Sequence, residues 1–138
     1  MTRLLIVAAV VLVAVVIALV VQRRRPDAPV RTGYSVPDQV DRADFVRPEA
    51  PWLVAVFTSA TCATCADVWA KVQVLASDEV AVQELEYVRD RGMHERYEID
   101  AVPALIVVDR MGVVRRSFIG PVSATHLWAA MAELRGDN

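Results

Sequence analysis

The sequence has two cysteines, two histidines and five glycines in 138 residues, and each scarcity closes off a class of function. A closed zinc site takes four ligands; beyond Cys62 and Cys65 only His94 and His126 remain to complete one, far away in the chain and on separate predicted elements. No metal is expected. The glycines form no phosphate-cradling loop, so no nucleotide or other cofactor is expected either. Outside Arg23, Arg24 and Arg25 the basic residues alternate with acidic ones, and a net charge of −2 leaves no footprint for nucleic acid.

What the chain does have is apolar residues, 55 % of the total, many of them in one place. Leu4 to Val21 is a run of Leu, Ile, Val and Ala, about 27 Å long as a helix, which nearly spans a hydrocarbon core. A single-pass transmembrane helix is expected there. A cleaved signal peptide is the competing reading. The run is longer than the usual apolar core of such a peptide, its basic cluster follows rather than precedes it, and no small-residue cleavage site comes before Arg23. Arg3 precedes the run whereas Arg23, Arg24, Arg25 and Arg31 follow it, so the positive-inside rule puts the remainder in the cytoplasm, the extracytoplasmic face being the alternative. Pro26, Pro29, Gly33 and Pro37 argue for an extended tether. The expected organisation is therefore an anchor over 1–22, a Pro/Arg-rich linker over 23–43 and a folded domain over 44–138.

Both cysteines fall in Cys62-Ala63-Thr64-Cys65, directly after the apolar run Trp52 to Phe57. Helical periodicity from Cys62 onward predicts a helix that starts at that residue, with Cys65, Val68, Trp69, Val72 and Leu75 on its apolar face. A sulfur at a helix N-terminus is more readily ionised, because unpaired N–H groups and aligned peptide dipoles stabilise the thiolate, which is the reactive form. Residues three apart on a helix are neighbours, so Cys62 and Cys65 are in reach of a disulfide. In thiol–disulfide exchange Cys62, nearer the tip, attacks as the nucleophile, and Cys65, one turn deeper, resolves the mixed disulfide.

The rest of the pattern supplies a scaffold. Trp52–Phe57 reads as a strand buried on both faces, Val80–Val88 as a second strand, and Arg89–Tyr97 as a short helix. Ala104–Val108 and Val113–Ile119 flank the turn Asp109-Arg110-Met111-Gly112 as a hairpin. A last helix starts after Ser123 and closes at Gly136. The order β-α-β-α-β-β-α implies an α/β domain whose mixed sheet carries helices on both faces. Tyr34–Val36 is a candidate edge strand and Asp41–Val46 a candidate helical turn. Trp69 and Trp128 are expected in the core, and His94 and His126 on helix surfaces.

From Trp52 to Leu134 the chain resembles the thioredoxin superfamily. The resemblance rests on the strand-CxxC-helix arrangement, on Tyr97 to Ala104 as the segment around a cis-proline, and on the Asp109–Gly112 hairpin with Gly120 one strand later. It implies a thioredoxin-like fold with Pro103 as the cis-proline. Val102 would offer its main chain to an extended substrate segment, and Thr61 would flank the site just before the first cysteine. The plainer reading of Pro103 is a trans proline that starts the next strand. Thr61, Ala63-Thr64 and Val56 stand where thioredoxins commonly have Trp, Gly-Pro and a buried Asp. Some features are similar to membrane-tethered proteins of the TlpA and ResA kind. The implied activity is that of a membrane-tethered thiol–disulfide oxidoreductase. Its partners would be protein disulfides or dithiols, together with an electron donor, either another protein or a small thiol, that the sequence does not identify. The alternative is a redox-inert thioredoxin-fold module that docks a membrane-associated partner.

Overall fold

Trp52 to Thr58 contains no charged residue, and in the computed structural model it is a strand, β1 (Trp52–Thr58), buried along its whole length. The structure describes residues 1, 11–17 and 34–136. By its internal contacts the chain divides into the units Met1–Thr32 and Gly33–Asn138. In the second unit β1 lies between β2 (Val80–Glu86), parallel to it, and β3 (Ala104–Val108), antiparallel to it. The strand β4 (Val114–Ile119) pairs antiparallel with β3 and completes the order β2-β1-β3-β4.

Alternation along β1 divides the core. Leu53, Ala55 and Phe57 join Leu85, Tyr97, Ile99 and Ile106, while Trp52, Val54 and Val56 join Val68, Val72, Leu127 and Met131. Helices α1 (Cys65–Gln73) and α3 (Ala124–Gly136) therefore cover one face, and α2 (Arg91–Arg96) with its following residues covers the other. This is the mixed sheet with helices on both faces that the sequence pattern predicts. Each large apolar side chain fully withdrawn from water contributes roughly 1.5–3 kcal/mol, so the two clusters dominate the stabilising terms.

The β3–β4 turn shows why Gly112 is needed. The Asp109 carboxylate accepts from the backbone N–H groups of Met111 (2.8 Å) and Val113 (3.0 Å), and Gly112 has φ +84°. A Cβ there would lie 2.1 Å from the Val40 carbonyl oxygen. The close approach is a pairing: Val40 N–H donates to Gly112 O, and Val114 N–H to Asp38 O. The N-terminal edge contact is thus the bridge Gln39–Val113, displaced from the Tyr34–Val36 strand that the sequence suggests. The helical turn expected over Asp41–Val46 is present as a 3-10 turn over Arg42–Asp44. Buried Arg42 fastens it, donating to the carbonyls of Ala50, Asp109 and Arg47.

Three expectations are corrected. First, no helix among the described residues is long and apolar enough to cross a membrane, so the single-pass placement with a cytoplasmic domain is not what the structure shows. Of the run Leu4–Val21, residues 11–17 are described and are helical; the others, with Arg23–Arg25 and Arg31, lie outside the described residues. Second, His94 is not on a helix surface but 2 % exposed, with Nε2 2.8 Å from Leu85 O. Nε2–H donates to that carbonyl, Nδ1 is buried with no hydrogen-bond partner among the described residues, and the ring stands edge-on to Phe57 and Tyr87. His126 is exposed, as expected. Third, Trp128 is 45 % exposed, while Trp69 packs against the core. The stripe Leu127-Met131-Leu134 faces the sheet, and Trp128 stands about 100° round the helix from it. Helix α3 also runs through Gly136 rather than closing before it.

Candidate active site

The chain leaves β1 at Thr58 and turns at once, Cys62 N–H donating to Ser59 O at 3.1 Å. Because that turn occupies residues 59–62, α1 starts at Cys65, three residues later than the periodicity predicts. Thr64 precedes it without capping through its side chain, and the bond from Val68 N–H to Thr64 O opens the helix. Cys62 therefore stands on the turn ahead of the helix, half-buried, with the Thr64 hydroxyl 3.9 Å from its sulfur. Cys65 is the first helical residue and is 3 % exposed. The two are joined as a disulfide across a Cα–Cα distance of 5.5 Å.

The register of the sheet brings a second segment to the same end. Phe57 of β1 is opposite Ala104 of β3, which places Pro103 and Val102 beside the exit of β1. The Val102–Pro103 peptide bond is cis, Pro103 is buried, and its carbonyl accepts from Gly120 N–H at 2.8 Å. Val102 is half-buried against the α2-side core. Thr61 is exposed, its hydroxyl 3.1 Å from that of Ser59. Cys62, Cys65, Thr61, Val102 and Pro103 are thus carried by two segments at one end of adjacent strands.

Two further residues at this end are not singled out by the sequence pattern. Glu86 closes β2 opposite Thr58, and its carboxylate accepts from Ala60 N–H on the cysteine-bearing loop and from Val88 and Arg89 N–H on the next. Glu84 accepts from the buried Thr58 hydroxyl at 2.9 Å. Both contacts depend on the β1–β2 register, which no local pattern shows. The N–H of Arg89 foremost, with those of Ala60 and Val88, holds the Glu86 carboxyl below its usual value against the opposing effect of burial. A depressed carboxylate stabilises the fold above its unfolded pKa and stops doing so as pH falls through the lowered folded value. Glu86→Gln is accordingly expected to lower the melting temperature at neutral pH. That difference should shrink as the pH drops below 4.5, the unperturbed value, and further through the lowered one. A pH-independent difference in thermal melts would refute the electrostatic role.

No family profile and no curated protein matches this sequence. Solved structures do. A thioredoxin of Halobacterium salinarum, solved as a point mutant, is 19 % identical with a TM-score of 0.58, over 73 % of this chain and 95 % of its own. The germline-specific thioredoxin Deadhead of Drosophila melanogaster is 22 % identical with a TM-score of 0.55, over 63 % of this chain and 84 % of its own. The fold is that of the thioredoxins. A malarial protein matches with a TM-score of 0.54 at 13 % identity, over 60 % of this chain and 96 % of its own. At these identities the likeness is one of fold, and the thioredoxin fold here presents a cysteine pair at the exit of its central strand.

Proposed function

We propose that the chain is a thiol–disulfide oxidoreductase acting through Cys62 and Cys65. The observation that carries this reading is the asymmetry of the joined pair: one sulfur is half-buried on a turn, and the other is buried at a helix start. In the reduced protein the Cys62 thiolate attacks a partner disulfide and forms a mixed disulfide, releasing one partner sulfur as a thiol. Cys65 then attacks Cys62, the second partner sulfur leaves, and the partner is reduced while Cys62–Cys65 is oxidised. Run backwards, the same steps oxidise a partner dithiol. Burial suits Cys65 to resolution, because no bulky substrate reaches it. Val102 would pair its main chain with an extended partner segment, Pro103 would shape that edge, and Thr61 would border it. Electrons would come from another protein or a small thiol.

The test is a redox titration of the full chain against glutathione or dithiothreitol buffers, following the pair by thiol labelling. A midpoint near the roughly −270 mV of thioredoxin supports a reductase, and one near about −120 mV an oxidant of partner dithiols. A pair that never interconverts between dithiol and disulfide would overturn the reading and leave a redox-inert binding module.

A further inference from the structure

Resolution by Cys65, on which the following rests, requires a buried thiol to lose its proton, and β1 offers no carboxylate to take it; Val56, in the middle of the strand, is fully buried and apolar. Among the described residues, the carboxylates on the adjoining elements differ in what already holds them. Asp67 is 62 % exposed and paired with Lys71. Both oxygens of Glu86 take backbone N–H groups. One oxygen of Asp90 takes Glu86 N–H and the Arg89 guanidinium. Glu84 instead takes the hydroxyl proton of Thr58.

The placement of Thr58 and Glu84 follows from two rows. Trp52, Val54 and Val56 on β1, with Val80 and Val82 on β2, face the core under α1, and Thr58 and Glu84 are the next residues of those rows. Strands β1 and β2 are parallel, so α1, which joins them, runs back from the exit end of β1; Cys65, its first residue, is 3 % exposed, and Thr58, the last residue of β1, is 1 % exposed. Cys65 and Val68 share the helix face turned to the sheet. A hydroxyl that donates to a carboxylate keeps lone pairs free for another donor.

We propose that Thr58 and Glu84 form a relay that receives the Cys65 proton during resolution. Thr58 Oγ1 takes the proton from Cys65 Sγ while passing its own to Glu84 Oε1. The Cys65 sulfur bonds to Cys62 Sγ, the bond from Cys62 to the partner sulfur breaks, and that sulfur leaves with the electron pair and is protonated from water. Glu84 then returns its proton to water. The charged groups on the elements flanking the relay are Glu86 on β2, Arg89, whose guanidinium donates to Glu84 O, and Asp67 and Lys71, paired with each other on α1. Glu84 acts through Thr58 and is a positioning residue.

The test mixes reduced full-length protein with an aromatic disulfide that releases a coloured thiolate at each step, the first from attack by Cys62 and the second from resolution. Glu84→Gln and Thr58→Val are expected to slow the second release about tenfold or more at pH 7 and leave the first within about twofold. Thr58→Ser should restore it. In Glu84→Gln the second rate should climb about tenfold per pH unit towards the thiol range near 8.5, where the unaltered protein is flat through neutrality. Second-step rates equal to the unaltered protein's, equal slowing of both steps, or a Thr58→Ser variant as slow as Thr58→Val would each overturn the relay. If the unaltered protein releases only one thiolate, the oxidoreductase reading falls and the relay with it; two releases with unaffected variants sink the relay alone.

Discussion

Cys62→Ser is expected to abolish exchange, a loss on the order of 10³-fold or more, because a serine hydroxyl at the turn neither ionises near neutrality nor forms a mixed disulfide. Cys65→Ser should behave differently. It leaves the half-buried attacking sulfur in place and removes only the buried resolving one, so the first step proceeds and the product accumulates as a covalent complex. Non-reducing gels of the two variants after incubation with cell extract, with and without dithiothreitol, separate the roles: reducible adducts on Cys65→Ser and none on Cys62→Ser. The reverse pattern would exchange the assignments, and equal trapping would show that burial of Cys65 does not restrict access. The position of Cys62 ahead of α1 bears on the size of the effect. It lies outside the first helical turn, where a helix dipole acts less than it would on a helix starting at Cys62, and the Thr64 hydroxyl stands 3.9 Å from its sulfur.

Much of this arrangement is legible in the sequence because it is set by short-range rules. An uncharged run of strand length between Pro51 and Ser59 can only be central, and β1 is central. Asp109 and Gly112 specify their turn through a side-chain acceptor and a positive φ, both local matters. The Ser123 cap is local too, its hydroxyl accepting from His126 N–H at 3.2 Å. The features that escape depend on partners distant in the chain. His94 is polar on a short helix, and only the fold shows the Leu85 carbonyl that lets it be buried. The helix start moves from Cys62 to Cys65 because a turn bond from Cys62 to Ser59 competes with helical geometry, and periodicity does not register that competition. The Leu4–Val21 run reads by hydropathy alone as a membrane span, whereas no helix among the described residues is long and apolar enough to cross one. Glu84 and Glu86 look like the wet side of an edge strand until β1–β2 pairing sets them against Val56 and Thr58.

That pairing makes Val56→Asp the most damaging single change expected in the fold. Val56 is fully buried in the α1-side core, and Glu84 is its registered partner across a parallel pair, with both side chains on one face. An introduced carboxylate would meet Val54, Val68 and Leu105 rather than water, and would have a second carboxylate beside it. An uncompensated buried charge costs about 3–5 kcal/mol, a large part of the roughly 5–15 kcal/mol that holds an ordinary domain together. Desolvation and the neighbouring Glu84 both raise the folded pKa of the new group above the roughly 3.9 of an unfolded aspartate. The penalty is therefore smallest below that unfolded value, grows as pH rises towards the folded one, and is full above it. Urea unfolding of the variant at pH 4 and pH 7.5 should show the deficit mainly at the higher pH. Adding Glu84→Lys should recover much of it by giving the buried charge a partner of opposite sign. A variant as stable as the parent at pH 7.5, or one that Glu84→Lys does not improve, would mean that Glu84 and Val56 do not share the face assigned to them here.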